Sequence, residues 1–87
     1  MKIKEGYILR NVAGNNVVVP IGKATIDFNG IMSLNETGAF LFEKLIAGTS
    51  REQLVDDLIS AYDVEKVQAA KDVETFLEKI EREGLFE

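Results

Sequence analysis

The stretch Ile31-Met32-Ser33-Leu34-Asn35-Glu36-Thr37-Gly38-Ala39 changes its character at Asn35, and that change decides the architecture. Up to Leu34 it reads as a short strand following Asn29-Gly30, the strongest short-range hairpin signal a sequence carries. From Asn35 onward the apolar residues take a helical spacing. Asn35 is a good N-cap, Glu36 places a negative charge at the positive end of the helix dipole, and Ala39, Phe42, Leu45 and Ile46 repeat on one face until Gly48. Strand therefore turns directly into helix.

On the N-terminal side the chain reads as strands. Tyr7 to Val12 and Val17 to Val19 are rich in residues suited to a pleated surface, and Gly14-Asn15 supplies a tight primed turn between them. Pro20 and Gly22 interrupt this hairpin. Ala24 to Phe28 then alternates apolar and polar residues, which favours a second short hairpin through Asn29-Gly30. The alternative is a loosely extended connection that leaves a three-stranded sheet.

On the C-terminal side two more helices follow. Ser50 with Gln53 three places later is a capping-box pattern, and Leu54, Leu58 and Tyr62, flanked by Val55 and Ile59, form an apolar stripe. Asp63 is placed to cap a third helix from about Val64 to Glu83, ~30 Å long at ~1.5 Å per residue. Gly84 closes it, with Leu85 positioned to fold back onto Ile80 in a Schellman arrangement. The predicted fold is α+β: a small N-terminal antiparallel β-sheet followed by three α-helices, the inventory of a winged helix-turn-helix, in one domain spanning 1–87.

Composition narrows the function classes. At 87 residues there is space for one core and none for a separate catalytic domain. Hydrophobic residues make up 46% and charged residues 29%, a balance that folds. Apolar runs are far shorter than the ~20 residues of a spanning helix, and Met1 to Glu5 lacks a signal-peptide core. The expected setting is cytoplasmic, with no membrane partner. The absence of cysteine and histidine removes thiol nucleophiles, Cys-type zinc sites and every Ser-His pairing. A net charge of -5 repels phosphate backbones, so nucleic acid is not expected as a partner.

No catalytic constellation emerges. Asp56-Asp57, Asp72 with Glu65 or Glu74, and Glu78-Glu81 read as solvated helix faces, several at the spacing of ordinary surface pairs. Adjacent Asp56 and Asp57 point about 100° apart and do not converge on a cation. The glycines fall at element boundaries and match no nucleotide-binding spacing. Gly38 differs: inside the first turn of a helix it costs up to ~1 kcal/mol against alanine and marks a close backbone approach. The expectation is therefore a non-enzyme without cofactor or metal.

The third helix carries the binding expectation. Val67, Ala70, Val73, Leu77 and Ile80 read as its core stripe, while Ala69, Asp72, Phe76 and Lys79 form a neighbouring stripe. The commoner fate of a residue such as Phe76 is to complete the core; the functional alternative is a groove wall. With this helix beside the Ile31 to Leu34 strand, an extended peptide can pair with the strand edge and place side chains in the groove. About five net hydrogen bonds at ~1 kcal/mol each and one or two apolar anchors, less the ordering costs, suit micromolar binding. The same edge can instead pair with a second copy, so a monomer or weak homodimer is expected.

The junction Leu34-Asn35-Glu36-Thr37-Gly38-Ala39 resembles that of the PqqD family, and Phe42, Leu45, Gly48, Ser50, Leu54, Tyr62, Asp72-Val73, Phe76-Leu77 and Gly84-Leu85 extend the similarity along nearly the whole chain. Many relatives carry tryptophan where this chain has Phe42. The resemblance implies a recognition element for ribosomally made, post-translationally modified peptides. Such an element holds the leader of a precursor peptide between the third strand and the third helix and presents it to a modifying enzyme, often a radical S-adenosylmethionine (radical SAM) protein. Carried over, the groove comprises Ile31, Met32, Ser33 and Leu34 from the strand and Ala69, Asp72, Phe76 and Lys79 from the helix. The rivals are a winged-helix DNA-binding protein, opposed by the acidic excess from Glu65 to Glu83, and a self-associating structural domain.

Overall fold

The computed structural model describes residues 1–27 and 30–87. In chain order they form β1 (Tyr7–Val12), β2 (Asn15–Pro20), the short α1 (Ala24–Asp27), β3 (Met32–Leu34), α2 (Glu36–Ala47), α3 (Arg51–Ala61) and α4 (Lys66–Arg82). The expected α+β class is present, with four helices in place of three. The three strands make one antiparallel sheet in the order β1-β2-β3.

The β1–β2 hairpin turns one residue earlier than the sequence suggested. Val12 pairs with Asn15, so the loop is Ala13-Gly14, and both residues have positive φ (52° and 84°) as a primed turn requires. Asn15 and Asn16 thereby become strand residues. The amide of Asn11 helps fix this register: its Oδ1 accepts from the Gly14 N–H at 3.2 Å, and its Nδ2 donates to Asn16 Oδ1 at 3.3 Å.

The second hairpin does not form over Ala24 to Asp27, which coil into α1; Phe28 and Asn29 lie outside the described residues. Alternation would put Ala24 and Ile26 on one sheet face, yet Ala24 is buried and Ile26 is exposed. Local bonds win instead. Ala24, Thr25 and Ile26 each donate a backbone N–H to the carbonyl three residues back, and the Thr25 hydroxyl donates to Gly22 O at 2.8 Å. Gly6 (φ 97°) makes space for this turn, since a Cβ there would sit 2.8 Å from that of Ala24.

The helix caps follow the sequence closely. Asn35 Oδ1 accepts from the Gly38 N–H at 2.7 Å, and Ser50 Oγ accepts from the Gln53 N–H at 3.1 Å. At the end of α4, Gly84 has φ 71°, its N–H donates to Glu81 O, and the Leu85 N–H donates to Ile80 O, which is the Schellman pattern. The start of α4 departs from expectation. Glu65, not Asp63, occupies the N-cap, without a side-chain cap bond, and Val64 packs partly buried against the core before the helix begins.

The core joins Val18, Met32 and Leu34 from the sheet to Leu41, Phe42 and Leu45 of α2, Leu54 and Leu58 of α3, and Ala69, Val73, Phe76, Leu77 and Ile80 of α4. The α4 stripe keeps the expected Val73, Leu77 and Ile80 but differs from expectation in the first turns. Val67 is 73% exposed and Ala70 is exposed, while Ala69 is fully buried. On α2, Ile46 is exposed and Leu41 takes the buried position. The chain ends meet beneath this core: Ile3 bridges Phe86, the Lys4 N–H donates to Leu85 O, and the Glu87 N–H donates to Lys2 O.

Candidate functional site

β3 lies at the sheet margin, paired with β2 on one side and with no other strand among the described residues. Its side chains alternate: Met32 and Leu34 are buried, and Ser33 is exposed. In an antiparallel ladder the backbone groups alternate too, so a residue whose carbonyl faces away from β2 also turns its N–H outward. Ser33 is that residue. Its carbonyl is met from the α4 side by the Lys79 ammonium, Nζ donating to Ser33 O at 3.1 Å.

Beside this margin a cavity of about 370 Å³ opens between the β3–α2 junction and α4. Leu34, Asn35, Thr37 and Gly38 form one wall, and Asp72, Thr75, Phe76 and Lys79 form the other. Residue 38 has no side chain, so the first turn of α2 packs closely on the junction that precedes it. A Cβ on Gly38 would lie 3.1 Å from Asn35 Oδ1 and 3.4 Å from Leu34 Cβ. The opposite wall repeats down one flank of α4, where residues 72, 75, 76 and 79 follow the i, i+3, i+4, i+7 spacing. Phe76, only 7% exposed, is at once a core residue and the apolar wall of the cavity.

The two charged residues of that flank stand two turns apart, ~10 Å along the axis at ~1.5 Å per residue. Asp72 is engaged by its own helix, Gln68 Nε2 donating to Asp72 Oδ1 at 2.8 Å. Lys79 reaches across to the sheet. On the opposite side of α4, Glu74 forms an ion pair with Arg51 at the start of α3. Among the described residues no group of three His, Cys, Asp or Glu side chains gathers as a metal site, and no helix is long and apolar enough to cross a membrane.

Of the residues expected at the groove, Leu34, Asp72, Phe76 and Lys79 line the cavity, and Ser33 joins it through its carbonyl. Met32 and Ala69 are buried in the core, and Ile31 is 63% exposed just before β3. Asn35, Thr37, Gly38 and Thr75 also line the cavity without having been expected there. Asn35 and Gly38 carried a signal for capping and close packing, Thr37 stood only within the junction that resembles the family's, and Thr75 carried none.

A family model described as coenzyme PQQ synthesis protein D (PqqD) matches residues 8–85. The chain belongs to the PqqD family. No curated protein sequence gives a significant match. Two solved structures are similar to this PqqD-family chain. One, "TbiB1 in complex with the TbiA(beta) leader peptide", superposes with a TM-score of 0.77 at 21% identity, covering 100% of this chain and 95% of the other. The second, "lasso peptide synthetase B1 complexed with the leader peptide", gives 0.73 at 20% identity, covering 97% and 93%. At such identity the likeness establishes the shared fold.

Proposed function

We propose that this PqqD-family protein captures the leader of a ribosomally made precursor peptide as an added strand on β3 and presents it to a modifying enzyme, radical SAM by family resemblance. The observation that carries the reading is the outward-facing Ser33 backbone lying beside a cavity large enough for one or two side chains. Two similar structures, TbiB1 and lasso peptide synthetase B1, are both complexes with leader peptides, which supports the same use of the fold here. The chain works by binding, in keeping with its lack of histidine and cysteine.

β3 is shorter than the strand inferred from sequence, so backbone pairing contributes less. Its three residues turn the N–H and C=O of Ser33 outward, with Ile31 able to extend the ladder by one more pair. Some two to four net hydrogen bonds at ~1 kcal/mol each leave the cavity side chains to supply the rest of a micromolar affinity. Phe76 is the main apolar anchor.

The test is a calorimetric titration of the protein with peptides encoded beside its gene, repeated with Ser33→Pro. Proline at Ser33 removes only an outward donor and is tolerated on an edge strand, whereas Met32→Pro would remove a ladder bond to β2 and disturb the fold. Binding near micromolar, weakened at least ~10-fold by Ser33→Pro with an unchanged unfolding temperature, is expected. Equal binding by both proteins would refute strand addition at β3.

A further inference from the structure

Lys79 is a cation at the site without an anion. The Arg51–Glu74 pair is the one salt bridge among the described residues, and the Lys79 ammonium is satisfied there by a neutral main-chain carbonyl. That carbonyl belongs to the residue where an added strand would pair. The other charged residue of the same flank, Asp72, is two turns away; it lines the same cavity while its Oδ1 accepts from Gln68 of its own helix. The groove thus has a positive end and a negative end along α4, on a protein whose net charge is -5.

We infer that Lys79 is the specificity-determining residue of the groove, selecting an extended peptide that carries an Asp or Glu within one residue of the position paired with Ser33. The inference rests on the strand-addition reading above. When the peptide N–H takes the Ser33 carbonyl, the ammonium exchanges a neutral acceptor for the incoming carboxylate, a shorter and stronger charge-assisted bond. Because the side chain is only half-buried, its desolvation is small and the pair adds to affinity. Asp72 repels an acid at the other end, so the pair of charges also fixes the direction and register of the bound segment.

A display library of random 14-residue peptides, selected on the full chain and on its Lys79→Glu variant, tests this. The wild-type protein is expected to enrich strand-forming peptides with Asp or Glu at one register position. Lys79→Glu is expected to move that preference to Lys or Arg. For the best wild-type binder, Asp→Asn in the peptide and Lys79→Gln in the protein should each cost ~10-fold, with little further loss when combined. Enriched peptides that lose binding to Ser33→Pro but show the same charge preference on both baits would overturn the role of Lys79 and leave the groove standing. Failure to enrich any peptide sensitive to Ser33→Pro would overturn the groove itself, and this inference with it.

Discussion

α4 has two sides that differ in what they touch. Val73, Leu77 and Ile80 are buried in the core, whereas Asp72, Thr75, Phe76 and Lys79 border the cavity beside β3. One helix thus supplies core packing on one side and a wall of the cavity on the other, with Phe76 at the seam. The lesson is economy of scale: in so small a core the side chain that walls the cavity, Phe76, is also one that packs the interior.

The comparison breaks most severely when a charge enters the closed side. Ile80→Asp places an unpaired carboxylate where the native side chain has no exposed surface, at a cost of several kcal/mol against a small domain's total. The expected outcome is an unfolded chain by circular dichroism. A folded variant would mean that the C-terminal part of α4 contributes little to the core.

Phe76→Ala comes next and acts on both sides of the seam. Loss of the ring is expected to cost ~3 kcal/mol in urea unfolding, the low end for a buried phenylalanine because the gap it leaves joins an existing cavity. Phe76→Leu restores most of the volume and is expected to recover stability while leaving peptide binding weakened. Recovery of both together would assign Phe76 to the core alone.

Local signals made much of this arrangement legible in the sequence. Asn35, Ser50 and Gly84 act as caps through bonds to residues three to five positions away, so their patterns survive any tertiary context. What escaped depends on distance. Periodicity placed Val73, Leu77 and Ile80 of α4 in the core, but at the start of the helix Val67 and Ala70 offered as good a pattern as the buried Ala69. Likewise, the alternation of Ala24 to Asp27 gave no sign that Gly6, some eighteen residues earlier, would receive Ala24 in a helical turn. At the site, Leu34, Asp72, Phe76 and Lys79 were visible as neighbours on two elements. Thr37 and Thr75 were not, since a threonine on a helix carries no mark of facing a cavity. The bond from Lys79 to Ser33 spans 46 residues and has no sequence signature.

The link behind the groove wall is expected to matter far less than the seam. Arg51 and Glu74 are each about half exposed, and an exposed pair of this kind contributes under ~1 kcal/mol. Glu74→Gln should therefore leave the unfolding midpoint almost unchanged at low salt and at high salt. A drop large enough to weaken peptide binding as well would show that the pair positions α4, and that the closed and open sides are coupled through α3.

The smallest effect is expected at Val67, and it bears most directly on which side of α4 faces inward. Sequence spacing placed Val67 in the core stripe; in the structure it is 73% exposed in the first turn, one residue after Lys66 and two before the buried Ala69. A residue so exposed loses almost no packing on truncation, so Val67→Ser should alter stability by no more than ~0.5 kcal/mol. Ala69→Ser, by contrast, inserts a hydroxyl into a fully buried position and should cost ~1–3 kcal/mol through an unsatisfied polar group. Measured side by side in urea, the two serines read the phase of the helix directly: a costly Val67→Ser with a silent Ala69→Ser would turn α4 by about 160° and carry Phe76 and Lys79 away from β3.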